Sequence, residues 1–127
     1  MKEFGFFNGM PHDDCTENFE DYKKFKNTIP KEKVIAYLES DKVEKCYGFM
    51  VSRDMFTGEK IECGLLEDDE YMTSMEFLHY YKNYDIGIPY EYEEYLKSIR
   101  DWLRAQKLLK FSETLAGGDL DESFWTF

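Results

Sequence analysis

The chain has 127 residues, 43% of them hydrophobic and 18% aromatic, with 27 acidic against 16 basic side chains and a formal charge of −11. That length suits a single domain over 1–127, and the abundance of rings argues against disorder. The charge argues against nonspecific binding to nucleic acid or to an anionic membrane surface, both of which need clustered Lys and Arg; it suits a basic protein partner, although acidity also serves solubility alone. The three cysteines lie outside any CxxC spacing, the N-terminus MKEFGFFNGMPHDD has no signal-peptide apolar region, and no stretch approaches a membrane span. A reducing, cytoplasmic setting with free thiols is the expectation.

In chain order, Phe4, Phe6 and Phe7 between Gly5 and Gly9 suit a short strand or an anchored arm. Over 17–26, Phe19, Tyr22 and Phe25 recur every third residue, which suits one face of a short helix. A better helix begins at Thr28 as N-cap, with Pro30 in the first turn, a Val34/Ile35/Leu38 stripe and an end at Ser40-Asp41. An antiparallel hairpin is expected over about 43–66, where Val43–Ser52 and Ile61–Leu66 flank a turn bearing Asp54 and Gly58. Ile61, Cys63 and Leu65 alternate with Lys60, Glu62 and Gly64, the pattern of a strand with one buried face. After an exposed loop at Glu67–Glu70, Thr73-Ser74-Met75-Glu76 reads as a capping box opening a helix that Gly87 and Pro89 break. The last helix, about 89–109, carries Tyr92, Tyr95, Leu96, Ile99, Trp102 and Leu103 at helical spacing. Its Glu93, Lys97 and Asp101 follow one another at i,i+4. Three rings close the tail, at Phe124, Trp125 and Phe127, and are expected to dock on the core or on a partner. The fold class is α+β, a small antiparallel sheet against several helices.

Catalysis needs groups that a fold can tune. His12 opens His-Asp-Asp-Cys, but adjacent positions diverge in regular structure and zinc sites draw ligands from separated pairs, so no metal is expected there. His79 lies mid-helix without a second ligand at i+4. Cys46 and Cys63 read as core thiols, and Cys15 sits among carboxylates that disfavour a thiolate. No phosphate loop is present, and the acids come in runs, as on solvated faces. Neither enzymatic activity nor a cofactor is expected.

What remains is an asymmetry of charge. From 67 to 95 there are nine acids against Lys82, interleaved with tyrosines. The candidate partner-binding residues are Glu67, Asp68, Asp69, Glu70, Tyr71, Tyr84, Asp85, Tyr90, Glu91 and Glu94. Tyrosine supplies contact area at low entropic cost, yet it serves equally as core with its hydroxyl at the edge.

The order Asp54-Met55-Phe56-Thr57-Gly58-Glu59-Lys60-Ile61, Leu65-Leu66 and Asp69-Glu70-Tyr71 continues through Leu78-His79-Tyr80-Tyr81-Lys82-Asn83-Tyr84-Asp85-Ile86 to Ile88-Pro89 and Tyr92-Glu93-Glu94-Tyr95-Leu96. Over positions 54–96 it resembles small bacterial immunity proteins of contact-dependent growth inhibition and related polymorphic toxin systems. Asp69 stands where that pattern has glycine, and Met72-Thr73 where it has Trp-Pro. The resemblance implies a cytoplasmic, non-enzymatic protein that neutralises a basic toxin domain, often a nuclease, whose phosphate-handling cleft an acidic surface would plug. The alternative reading is a structural or adaptor subunit that docks through the aromatic C-terminal tail.

Overall fold

The computed structural model describes residues 1–109, with side chains through 105; the aromatic tail and its expected docking lie outside the described residues. The elements are β1 (Lys2–Glu3), α1 (Phe19–Tyr22), α2 (Lys31–Leu38), β2 (Glu44–Tyr47), β3 (Ser52–Arg53), β4 (Lys60–Ile61), β5 (Gly64–Glu67), β6 (Tyr71–Ser74), α3 (Met75–Asn83) and α4 (Tyr90–Leu109). One sheet has the order β1-β6-β5-β2, with β1 parallel to β6 and the other pairs antiparallel; β3 and β4 form a separate two-stranded ribbon. The α+β class and the long last helix are as expected.

The expected hairpin over 43–66 is divided in two. Cys46 pairs with Leu65 and Glu44 with Glu67 in the main sheet, while Ser52 pairs with Ile61 in the ribbon. The strand signal at Phe49-Met50-Val51 leads out of the ladder instead: those residues are exposed, and the last rung is Gly48 N–H to Cys63 O at 2.8 Å. The ribbon's turn does follow its residues. Asp54 Oδ1 accepts the N–H groups of Phe56 and Thr57, and Gly58 takes the left-handed φ of +76° that closes the turn.

Two helix starts fall elsewhere than the local chemistry indicates. Thr73 belongs to β6, whose alternation turns Tyr71 and Thr73 toward the core and Met72 outward. Ser74 is therefore the N-cap of α3, accepting Phe77 N–H at 2.9 Å, and Glu76 occupies the second helical position, where it closes no capping box. Thr28 does not cap α2, which follows Pro30 without a side-chain cap. Its N–H and hydroxyl, with the N–H of Ile29 and the amide of Asn27, donate to the buried Glu93 carboxylate. Burial opposes the charge on Glu93, but these donors outweigh it and lower its pKa. This tie between α4 and the segment before α2 replaces the expected i,i+4 ladder; on the outer side Lys97 pairs with Glu94 and Arg100 with Asp101. The helical expectation over 17–26 contracts to the single turn α1, capped by Asn18.

The core is aromatic. The arm after β1 buries Phe4, Phe6 and Phe7, with ring centroids 4.3 Å apart between Phe4 and Tyr92 and 4.8 Å between Phe7 and Tyr22. Such ring pairs add about 1 kcal/mol each beyond the area they bury. Gly5 lets the arm lie flat: its φ is +77°, and a Cβ there would stand 2.6 Å from the Phe77 ring. Tyr71, Tyr80, Tyr81 and Tyr92 are core residues too, which decides the open question of the tyrosines largely in favour of packing.

Candidate functional site

The sequence-derived partner residues separate into groups. Glu70, Tyr71 and Glu91 meet around Lys2, whose N–H donates to Glu70 O at 2.9 Å, whose Nζ lies 2.8 Å from Glu91 Oε1, and whose ammonium stands over the Tyr71 ring. Asp68 is spent internally: Oδ1 accepts Glu70 and Tyr71 N–H in the β5–β6 turn, and Oδ2 accepts the Tyr37 hydroxyl at 2.5 Å. Asp69 is exposed in that turn and Glu94 pairs with Lys97. Tyr84 donates instead to Asp54 beside the β3–β4 ribbon, and Asp85 next to it in sequence is exposed. Tyr90 is half exposed; its ring packs on Phe25 and its hydroxyl accepts Lys26 N–H. These contacts gather the Glu67–Tyr71 turn and Glu91, but not Tyr84, Asp85 or Tyr90.

A second acidic feature comes from pairing registers. Glu3 pairs with Met72, Met72 with Glu67, and Glu67 with Glu44, so one row across the whole sheet carries three glutamates. Residues facing one another across strands share a face, and Leu65 and Cys46 continue that face in a neighbouring row. It is the face opposite Leu66 and Thr73, which are buried against the helices. Glu44 and Glu67 are directly opposed like charges, which disfavours the pairing by a few tenths of a kcal/mol. The row ends at β2, an edge strand exposed along its length whose outer side has no strand partner among the described residues. Beyond β2, Phe49 is fully exposed at 105%, with Met50 and Val51 beside it. The sequence signal for this patch was present as an apolar run, but periodicity alone assigns such a run to a buried strand. Cys46, expected in the core, is exposed because it lies on the outer face of this edge strand.

Two buried carboxylate–histidine pairs flank α3. In the first, Asp54 Oδ2 lies 2.7 Å from His79 Nε2 and accepts the Tyr84 hydroxyl at 2.7 Å. Burial works against the Asp54 charge, but His79, Tyr84 and the two turn N–H groups outweigh it and hold the carboxyl at about 2. Tyr84 in turn is pushed up to about 12, first by its hydrogen bond to that carboxylate. With the Tyr80 hydroxyl accepting Met55 N–H, the set fastens the β3–β4 ribbon to α3. His79 also lines a cleft of about 590 Å³ between α3, β2 and the ribbon, whose walls mix Glu39, Glu59 and Glu62 with Lys45, Lys60 and Lys82.

In the second pair, Glu76 is fully buried, its Oε2 2.7 Å from His12 Nε2 and its Oε1 3.3 Å from Gly64 N. Cys63 is buried beside it, and burial and then the Glu76 charge push its thiol up. One donor atom each from His12, Cys63 and Glu76 lie within 4.8 Å of one another. The expected divergence of His12, Asp13, Asp14 and Cys15 does not bear on this group, which draws His12 from the loop before α1 and its other members from other segments. The sequence held no spacing signal for it, because His12 and Glu76 are 64 positions apart.

No family model matches the chain, and no curated protein or solved structure is significantly similar to it. Among the described residues, no helix is long and apolar enough to cross a membrane.

Proposed function

We propose that this chain is an immunity-like binding protein of the cytoplasm, which captures a basic protein toxin domain along the outer face and open edge of its sheet. The carrying observation is the surface around β2: a strand edge without a strand partner among the described residues, a row of glutamates running up to it, and the exposed Phe49-Met50-Val51 beyond it. Monomeric domains avoid such edges and apolar segments unless they serve association. Exposed rings and aliphatic side chains supply the desolvated centre of an interface, and the surrounding acids steer a cationic partner and set its orientation. The like charges of Glu44 and Glu67 cost stability in the free protein and are relieved when a Lys or Arg docks between them. The formal charge of −11 supports the sign of the partner, and the resemblance over 54–96 supports its class.

Binding to the product of the adjacent reading frame, followed as salt rises, tests this reading. Association should slow steeply with ionic strength. The Glu44→Lys/Glu67→Lys double variant should slow it by about tenfold or more. Phe49→Ala should mainly speed dissociation, as loss of a buried anchor does. A complex whose rates ignore both salt and these substitutions would remove the proposed face.

A further inference from the structure

We propose that His12, Cys63 and Glu76 form a binding site for a zinc-type divalent cation. The donor set is an imidazole nitrogen, a thiol sulfur and a carboxylate oxygen, the ligand types zinc takes together. They come from three separated segments: the loop before α1, the link between β4 and β5, and the first turn of α3. Separation of this kind is what makes a folded site rigid rather than a flexible surface chelator.

Geometry permits closure. Donors around a tetrahedral zinc stand about 3.5 Å apart, given bond lengths of about 2.0–2.3 Å. The present spacing runs from 2.7 Å for His12–Glu76 up to a limit of 4.8 Å, so side-chain movements of about an ångström bring the three donors onto one ion. His12 is the less enclosed of this pair, with its side chain 14% exposed, whereas Glu76 is enclosed completely. The remaining carboxylate oxygen keeps the Gly64 N–H, an outer contact that orients the ligand. The Phe6 ring meets the His12 imidazole edge-on at 5.7 Å and limits its rotation.

Charge points the same way. A dication with one thiolate, one carboxylate and a neutral imidazole sums to zero, which is the arrangement a buried site tolerates best. Upon binding, the Cys63 S–H bond breaks, the sulfur–metal bond forms, and the proton leaves to solvent. Three protein donors leave one tetrahedral position for water. Cys63 adjoins the exposed 49–51 segment, its thiol near the Met50 backbone, but the site stands on its own three donors and does not rest on the toxin-binding reading.

Cobalt(II) is the probe, titrated into the full chain after treatment with chelator and reductant. One equivalent should give sulfur-to-cobalt charge-transfer absorption with tetrahedral ligand-field bands, and zinc should bleach both. Cys63→Ser should abolish the charge transfer, while Cys46→Ser keeps it. His12→Asn, a change on a partly exposed loop, should retain the fold by circular dichroism and weaken affinity at least about tenfold. The proposal is overturned if no charge transfer develops, if it survives Cys63→Ser, if it vanishes with Cys46→Ser, or if His12→Asn leaves affinity unchanged. Should Cys63→Ser fail to fold, the His12 and Cys46 variants still decide.

Discussion

Two carboxylate–histidine pairs lie against the same helix at the same 2.7 Å separation, yet they are built for different ends. Asp54 is saturated: two backbone N–H groups, a tyrosine hydroxyl and His79 converge on it, and every donor belongs to the ribbon or to the segment it must grip. Glu76 instead meets the His12 imidazole closely, keeps a longer contact to Gly64 N, and accepts from the buried Cys63 thiol. Saturation by hydrogen-bond donors makes a clasp. A carboxylate whose side-chain partners are an imidazole and a thiol, each able to turn a lone pair to a metal, makes a coordination site.

The largest expected effect lies on the clasp. Asp54→Ala strands the His79 and Tyr84 donors and two N–H groups together, and should cost about 3–5 kcal/mol by denaturant unfolding. A loss below about 1 kcal/mol would mean that the ribbon stands without it.

The pH dependence comes next. Asp54 titrates lower in the folded protein, at about 2, than its ordinary value of 3.8, so the native state favours the ionised form. Its contribution, about 2 kcal/mol, is therefore present above the ordinary value and lost as pH falls through about 2. The stability gap between the wild type and Asp54→Asn should narrow over that window as pH falls. A gap that widens toward acid would reverse the assignment.

The smallest effect should fall on the other pair. In metal-free protein, Glu76→Gln keeps an amide oxygen for Gly64 N and removes a buried charge, so unfolding should shift by only about 1 kcal/mol. If Glu76→Gln instead cost as much as Asp54→Ala, the two pairs would be alike and both structural.

Much of this molecule is written in short stretches of its chain. Thr57-Gly58 after Asp54 specified a tight turn because the side chain and the φ requirement are local. The long last helix was legible from its stripe of Tyr92, Leu96 and Ile99, since a 3.6-residue period needs no tertiary context. Thr28 and Thr73 misled for the opposite reason: each has good capping chemistry nearby, but Glu93 and the sheet offered stronger partners. Of the candidate interface, the acids were visible and their grouping was not.

Composition and local pattern alone determined an acidic, aromatic-rich α+β fold, with its turn at 54–58 and a last helix beginning near 89. Tertiary structure decided that most tyrosines between 71 and 92 are core, that Glu3, Glu67 and Glu44 share a row, that Phe49 meets solvent, and that His12, Cys63 and Glu76 converge. The division has a physical cause. Periodicity and turn chemistry act over a few residues, whereas strand register and the burial of charge depend on which distant segments arrive beside them.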